Sequence, residues 1–364
     1  MFVVLIVDIL LIIFLLVYKL FRRNQEEKYR RFEQSLQDEF EYSMVNLSPA
    51  EFSNRYRYSK QRKYIYKLMI SIASQKEYDF HGIFDEMGFT DEEMYKVSKN
   101  CDLQSLKDLS IIKSPRSYHL LLSLLKSDIP EVSYRSGYAI ASLKLNGEQQ
   151  IEIVNALLDS NIVSQKAIEI VDLMNPPLED FFPLLQSQET DRGKLILLNY
   201  LNHKITDQSS QYKFLQKQLL LQAERVCNLV KPYLRENEEI VISAIKVLGN
   251  TRHHNALEAL KNLYFDNPVS NVKAAIAQEL DKFSWTETIE ILKEMAQDRN
   301  YWVRLNAYEA LSNLGENGKK AIIEMSQTSP YPSTNFLVYQ LLSRNENLSD
   351  EFDKYKRELE TNAS

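Results

Sequence analysis

Between residues 112 and 328 a β-branched residue is followed five times by an aliphatic one eight positions later. The pairs are Val132 and Ile140, Val163 and Val171, Ile240 and Leu248, Val272 and Leu280, and Val303 and Leu311. Midway between them stand Ser136, Ala167, Ala244, Ile276 and Ala307. Positions i, i+4 and i+8 fall near one face of an α-helix, so each segment is an amphipathic helix with a narrow buried stripe. Small residues at the middle position let a neighbouring helix come close.

The intervals define the architecture. Val132 lies 31 residues before Val163, Ile240 lies 32 before Val272, and Val272 lies 31 before Val303. Each period also holds an earlier apolar helix, at His119–Lys126, Ile151–Leu158, Leu257–Phe265 and Ile289–Ala296. Two short helices per period cannot bury both faces alone, so copies must stack into a helical solenoid. Composition agrees. Only 8 Gly and 10 Pro in 364 residues disfavour a turn-rich β fold. With 21 Tyr, 16 Phe and 26% charged residues, wholesale disorder is excluded.

The sequence Asp298-Arg-Asn-Tyr-Trp-Val-Arg304, followed by Ala307, Ala310, Leu311, Leu314 and Gly315, resembles the second helix of a HEAT repeat of the short bacterial type. Asp266-Asn-Pro-Val-Ser-Asn-Val-Lys273, with Ala274, Ala275 and Leu280, is similar to it as well. So is Asp128-Ile-Pro-Glu-Val132 with Arg135, Ala139 and Leu143. The resemblance covers about residues 112–328. It implies an aspartate in the turn that caps the second helix, and a cation after the valine that faces the adjacent repeat or the inner surface. Ser164 after Val163 and Val241 after Ile240 depart from that cation position. The fold expected is all-α, an N-terminal transmembrane helix followed by a right-handed α-solenoid of HEAT-like helix pairs.

The interval from Val163 to Ile240 is 77 residues, not a multiple of 31. A degenerate repeat is expected over Leu178–Leu201, with one or two longer helices over Phe214–Arg235, and Pro176-Pro177 should end the helix before them. Gly147, Gly249 and Gly315 each follow a stripe and read as helix C-terminal caps. Residues 59–111 read as a helical N-terminal cap with helices at Ile65–Ile72 and Ile83–Val97. Residues 329–364 read as a closing helix near Asn335–Leu342 and a loose, charged tail.

Phe2 to Tyr18 contains a single charge, Asp8. Extended to Leu20, it spans about 30 Å as a helix, enough for a hydrocarbon core. Lys19, Arg22 and Arg23 flank it on one side, which favours keeping that side cytoplasmic and the N-terminus outside. No positive residue precedes the apolar run and no A-x-A-like site follows it, so an uncleaved anchor at 1–20 fits better than a signal peptide. Asp8 fits the outer interface, or a polar contact to a partner helix.

Residues 21–58 read as a basic neck, with Tyr29, Phe32, Leu36 and Phe40 on one helical stripe and Ser48-Pro49-Ala50-Glu51 as a capping box. Residues 19–70 carry 12 Lys/Arg against 7 Asp/Glu, while residues 71–364 carry 32 against 42. A basic neck can lie near anionic headgroups while the acidic body projects into the cytosol. The tyrosines and cations interleaved from Arg55 to Lys67 fit a solvated face beside the membrane better than a nucleic-acid surface.

No catalytic constellation emerges. The chain lacks G-x-S-x-G, Walker, G-x-G-x-x-G and H-E-x-x-H patterns, and its only histidine cluster, His253-His254, falls in an inter-repeat loop. Two cysteines, Cys101 and Cys227, make neither a disulfide framework nor a four-cysteine zinc site, and Cys227 reads as a buried thiol. The expectation is therefore a non-catalytic, membrane-tethered scaffold with no cofactor or metal. It would bind a protein partner such as the cytoplasmic part of a membrane enzyme or transport complex.

If the second helices line a concave face, Arg135, Lys273, Trp302 and Arg304 are its candidate contacts. Trp302 fits an exposed anchor or packing against the next repeat. No nucleic acid is expected, because residues 71–364 are net acidic. Self-association through the anchor and neck, as a structural membrane protein or homo-oligomer, stays open. The HEAT resemblance also admits enzyme alternatives of the pigment-lyase or DNA-glycosylase type.

Overall fold

A computed structural model describes residues 38–57, 62–75, 79–206, 222–267, 269–328, 331, 338 and 341. The anchor expected at 1–20, most of the neck's apolar stripe and all but Val338 and Leu341 of the helix expected at 335–342 lie outside the described residues. Every element among the described residues is helical. No helix among them is long and apolar enough to cross a membrane. The chain divides into two compact units, Met1–Ile162 and Val163–Ser364. The division falls inside the 112–328 stretch that spacing alone treats as one array.

In the first unit, residues 38–46 are helical, followed by α1 (Pro49–Tyr56), α2 (Arg62–Gln75), α3 (His81–Glu86), α4 (Phe89–Asn100), α5 (Leu103–Ile112), α6 (Tyr118–Leu124), α7 (Pro130–Ala141) and α8 (Gly147–Leu158). The predicted capping box starts α1. The Ser48 hydroxyl accepts from the Glu51 amide at 3.4 Å and Glu51 Oε2 accepts from the Ser48 amide at 2.9 Å. Phe40, Phe52 and Tyr56 form an aromatic cluster, with Phe40 and Tyr56 centroids 4.3 Å apart. Tyr66 packs 4.9 Å from Phe89. Tyr56 and Tyr66, two of the interleaved tyrosines, thus pack onto phenylalanines.

The second unit holds α9 (Ser164–Met174), α10 (Leu178–Ser187), α11 (Asp191–Thr206), α12 (Ala223–Val230), α13 (Glu238–Thr251), α14 (His254–Asp266), α15 (Ser270–Glu279), α16 (Thr286–Met295), α17 (Tyr301–Asn313) and α18 (Gly315–Thr328). Its odd-numbered helices form one layer, α9 on α11, α11 on α13, α13 on α15 and α15 on α17. In the other layer α12 packs on α14 and α16 on α18. This is the stacking expected of repeats that bury one stripe each. Ala167, Ala244, Ile276 and Ala307 are fully buried in it. Asn306 Nδ2 donates to the Ala274 carbonyl at 2.8 Å, a tie from α17 to the backbone of α15.

The degenerate repeat is a regular one in disguise. The α10–α11 pair occupies a full repeat, and α11 buries Gly193, Leu197 and Leu201 at the stripe spacing. A β-branched template misses it because its first member is glycine. A Cβ on Gly193 would stand 2.4 Å from Gln188 Cδ and 2.7 Å from Thr190 Oγ1, so the turn before α11 closes over that position. The prediction over Phe214–Arg235 is only partly within the described residues, where it resolves into α12 and a 3₁₀ turn at Lys231–Arg235.

Several local expectations are corrected. Val163 is 71% exposed and precedes α9 as its N-cap, because this helix begins three residues later relative to its stripe than its counterparts do. Gly147 starts α8 under a capping box from Asn146 and Gln149, so it is no C-cap. Gly249 lies inside α13, where Glu279 of α15 fills the space a side chain would take. Gly315 follows α17 at φ +67°, the left-handed position expected of it. His253 lies in no free loop. Its Nδ1 accepts from the Asn255 amide at 3.2 Å and caps α14, while His254 meets Trp285 edge-on at 5.8 Å.

Candidate partner-binding edge

The turns that enter the second helices share one device. A polar side chain accepts the backbone N–H two residues ahead and bends the chain into the helix. Ser127 does this for Ile129 at 3.2 Å, Ser160 for Ile162 at 3.3 Å, Asn267 for Val269 at 2.8 Å, and Asp298 for Asn300 at 2.8 Å. The capping role implied for the aspartates is therefore corrected. Asp298 braces the turn, and Asn300 caps α17 by accepting from the amides of Trp302 and Val303 at 2.9 and 3.4 Å. Asp266 ends α14, and Asn267 takes the turn position after it.

Three of the four candidate contacts converge on the Asp298 turn. Arg304 is 4% exposed, and its Nη1 donates to the carbonyls of Asp298 and Arg299 at 2.9 and 3.0 Å. Its guanidinium also lies 4.1 Å from the Tyr331 ring. Arg304 thus holds the turn from inside, and the surface role expected of it is withdrawn. Lys273 lies over the Tyr264 ring at 4.8 Å, and its Nζ is 3.9 Å from Asp298 Oδ2. Burial, reinforced by the carboxylates of Asp298 and Glu294, pushes the Tyr264 phenol up to about 12. Trp302 is 61% exposed, which settles its two readings toward an exposed side chain. Arg135 belongs to the first unit and pairs with Glu131 one turn earlier at 2.6 Å.

Beside Trp302 the turns expose further apolar surface. Tyr301 is 39% exposed with its ring centroid 5.4 Å from that of Trp302, and Phe265 and Val269 are 52% and 37% exposed. These sit where α14 ends, α15 begins and α17 begins. In the first unit Ile129 holds the position of Val269, three residues before the buried valine of its helix, and is also exposed. Such residues carry no stripe signal because they are out of phase with the core. An apolar residue three before the stripe is the signal that finds Val269 and Ile129. Exposed aromatics of this kind are the usual anchors of a protein interface. Among the described residues no three His, Cys, Asp or Glu side chains lie close enough to hold a metal ion.

Residues 265–335 match the family described as HEAT repeats. An engineered protein of known crystal structure is similar over 81% of this chain and 88% of its own at 15% identity, with a TM-score of 0.37. Human deoxyhypusine hydroxylase in complex with glycerol is similar over 70% of this chain and 99% of its own at 14% identity, TM-score 0.25. A second engineered protein covers 70% of this chain and 95% of its own at 17% identity, TM-score 0.23. No curated protein matches the chain. The stretch 265–335, which carries the Asp266 and Asp298 turns and the exposed aromatics, is similar to HEAT repeats on sequence and built as paired stacked helices.

Proposed function

We propose that this chain is a non-catalytic, membrane-tethered HEAT-repeat scaffold that binds a protein partner through the turn edge of its second unit. The partner is envisaged as the cytoplasmic part of a membrane enzyme or transport complex. The observation that carries the reading is Trp302, an exposed tryptophan on a turn that Arg304, Lys273 and Asn300 brace from beneath. Rigid support lets an aromatic bind without losing much conformational freedom. The apolar run Phe2–Leu20 and its flank Lys19, Arg22 and Arg23 support the tether. A tether restricts the search for a partner to the membrane plane and raises its effective concentration.

The test is extraction of the full chain in a gentle detergent, followed by identification of co-purifying proteins for the parent and for Trp302→Ala with Tyr301→Ala. The expected result is one foreign protein recovered with the parent and strongly reduced with the double variant. Equal recovery with both would remove the edge as the binding surface.

A further inference from the structure

In the second unit a groove of about 490 Å³ runs between the 3₁₀ turn Lys231–Arg235 and α14. Leu234 and Leu263, both half-buried, supply its apolar surface. Its charges are sorted by wall. Lys231 and Arg235 stand on the 3₁₀ side, Glu258 and Asp266 on the α14 side, and none of the four makes an ion pair among the described residues. The next two steps of the same layer are closed differently. Lys261 of α14 meets Glu287 of α16 at 2.6 Å, and Lys293 of α16 meets Glu324 of α18 at 2.7 Å. Only the step before them keeps opposite charges apart on facing walls. Such a slot suits a segment that inserts between the walls and presents the opposite sign to each.

The chain carries a segment of that pattern. In residues 345–364, outside the described residues, Leu348, Phe352, Tyr355 and Leu359 stand at the spacing of one helical face. At about 100° per residue, Glu351 and Glu358 border that stripe on one side, Ser349 and Lys356 on the other.

We propose that residues 348–359 dock as a helix in this groove of their own chain. The stripe covers Leu234 and Leu263, Glu351 and Glu358 face Lys231 and Arg235, and Lys356 faces Glu258 and Asp266. The connection is long enough. From the end of α18 at Thr328 to Leu348 the chain can cover about 40 Å even with a helix at 335–342, against about 20 Å for the two helix steps from α18 back to α14. None of the exposed aromatics of the turn edge lines the groove, so this docking stands independently of partner capture there.

Hydrogen exchange of the full chain in nonionic detergent, read by mass spectrometry, tests the docking. Amides of 348–359 should exchange at least about tenfold more slowly than in a synthetic peptide of residues 345–364, and equally so on dilution of the protein. Lys231→Glu with Arg235→Glu, or Glu351→Lys with Glu358→Lys, should each remove most of that protection. All four changes together should restore it, because the facing charges are then exchanged in sign. Should the groove pair misfold, Lys231→Gln with Arg235→Gln replaces it, with protection reduced in the same way. The proposal is overturned if the segment exchanges as the free peptide does, if a folded variant of either pair keeps full protection, or if the folded fourfold variant stays unprotected. Protection that fades on dilution would place the segment on a second copy and overturn it as well.

Discussion

Helices α11 and α17 occupy equivalent places in the second unit, yet they handle a buried cation differently. In α17, Arg304 returns to its own entry turn and donates to two backbone carbonyls. In α11, Lys204 is 1% exposed and its Nζ lies 2.6 Å from Asp172 on the neighbouring helix α9. One cation stabilises a turn within a repeat, and the other ties two repeats together. A buried ion pair is an uncertain source of net stability, but removing one partner leaves an uncompensated charge. The two helices therefore predict different costs for superficially similar substitutions.

The largest effect is expected at α11. Asp172→Ala should cost about 3–5 kcal/mol, and adding Lys204→Met should recover most of it, as read by denaturant unfolding. A double variant no more stable than Asp172→Ala would break the pairing. At α17, Arg304→Met should cost about 2 kcal/mol through two unsatisfied turn carbonyls. A comparable cost with unchanged turn geometry in Arg304→Lys would mean the bidentate contact matters. Gly249→Ala should cost about 1–3 kcal/mol, since its Cβ would stand 2.5 Å from Glu279 Oε2 and 2.8 Å from Glu279 Cβ.

Tyr308, fully buried on α17, carries a hydroxyl with no hydrogen-bond partner among the described residues. Tyr308→Phe should leave stability unchanged or raise it by about 1 kcal/mol, and a loss of that size would show that the hydroxyl is satisfied. The smallest effect is a pH dependence in the first unit. Burial opposes ionisation of Asp79, but hydrogen bonds from Lys144 and His81 outweigh it and hold the carboxyl near 2 against an ordinary 3.8. Because the folded value is the lower one, this contribution is full above about pH 4 and fades as pH falls toward 2. Asp79→Asn should flatten acid unfolding across that window, and an unchanged acid limb would show that Asp79 is not the group responsible.

The comparison of α11 with α17 also marks what the sequence discloses. Val303, Ala307 and Leu311 announce α17 because a stripe is a statement about which residues leave water. Gly193 hides α11 because that position is defined by a close approach, which has no pattern of its own. The same limit applies at the edge. Lys273 and Arg304 look alike as cations after a valine, and only the path of the turn decides that Arg304 is enclosed. Trp302 was legible as a residue of interest, while Phe265 and Tyr301 became so only when the turns were placed side by side. The groove beside α14 was not legible at all, since it joins residues of a 3₁₀ turn and a helix that no spacing connects.

The most direct test of the scaffold reading is site-specific photocrosslinking in intact membranes, with a photoreactive phenylalanine analogue in place of Trp302. The account predicts one dominant adduct with a different protein, absent when the analogue replaces exposed Tyr95 of the first unit. Adducts only between copies of this chain, or none in the membrane fraction, would contradict it.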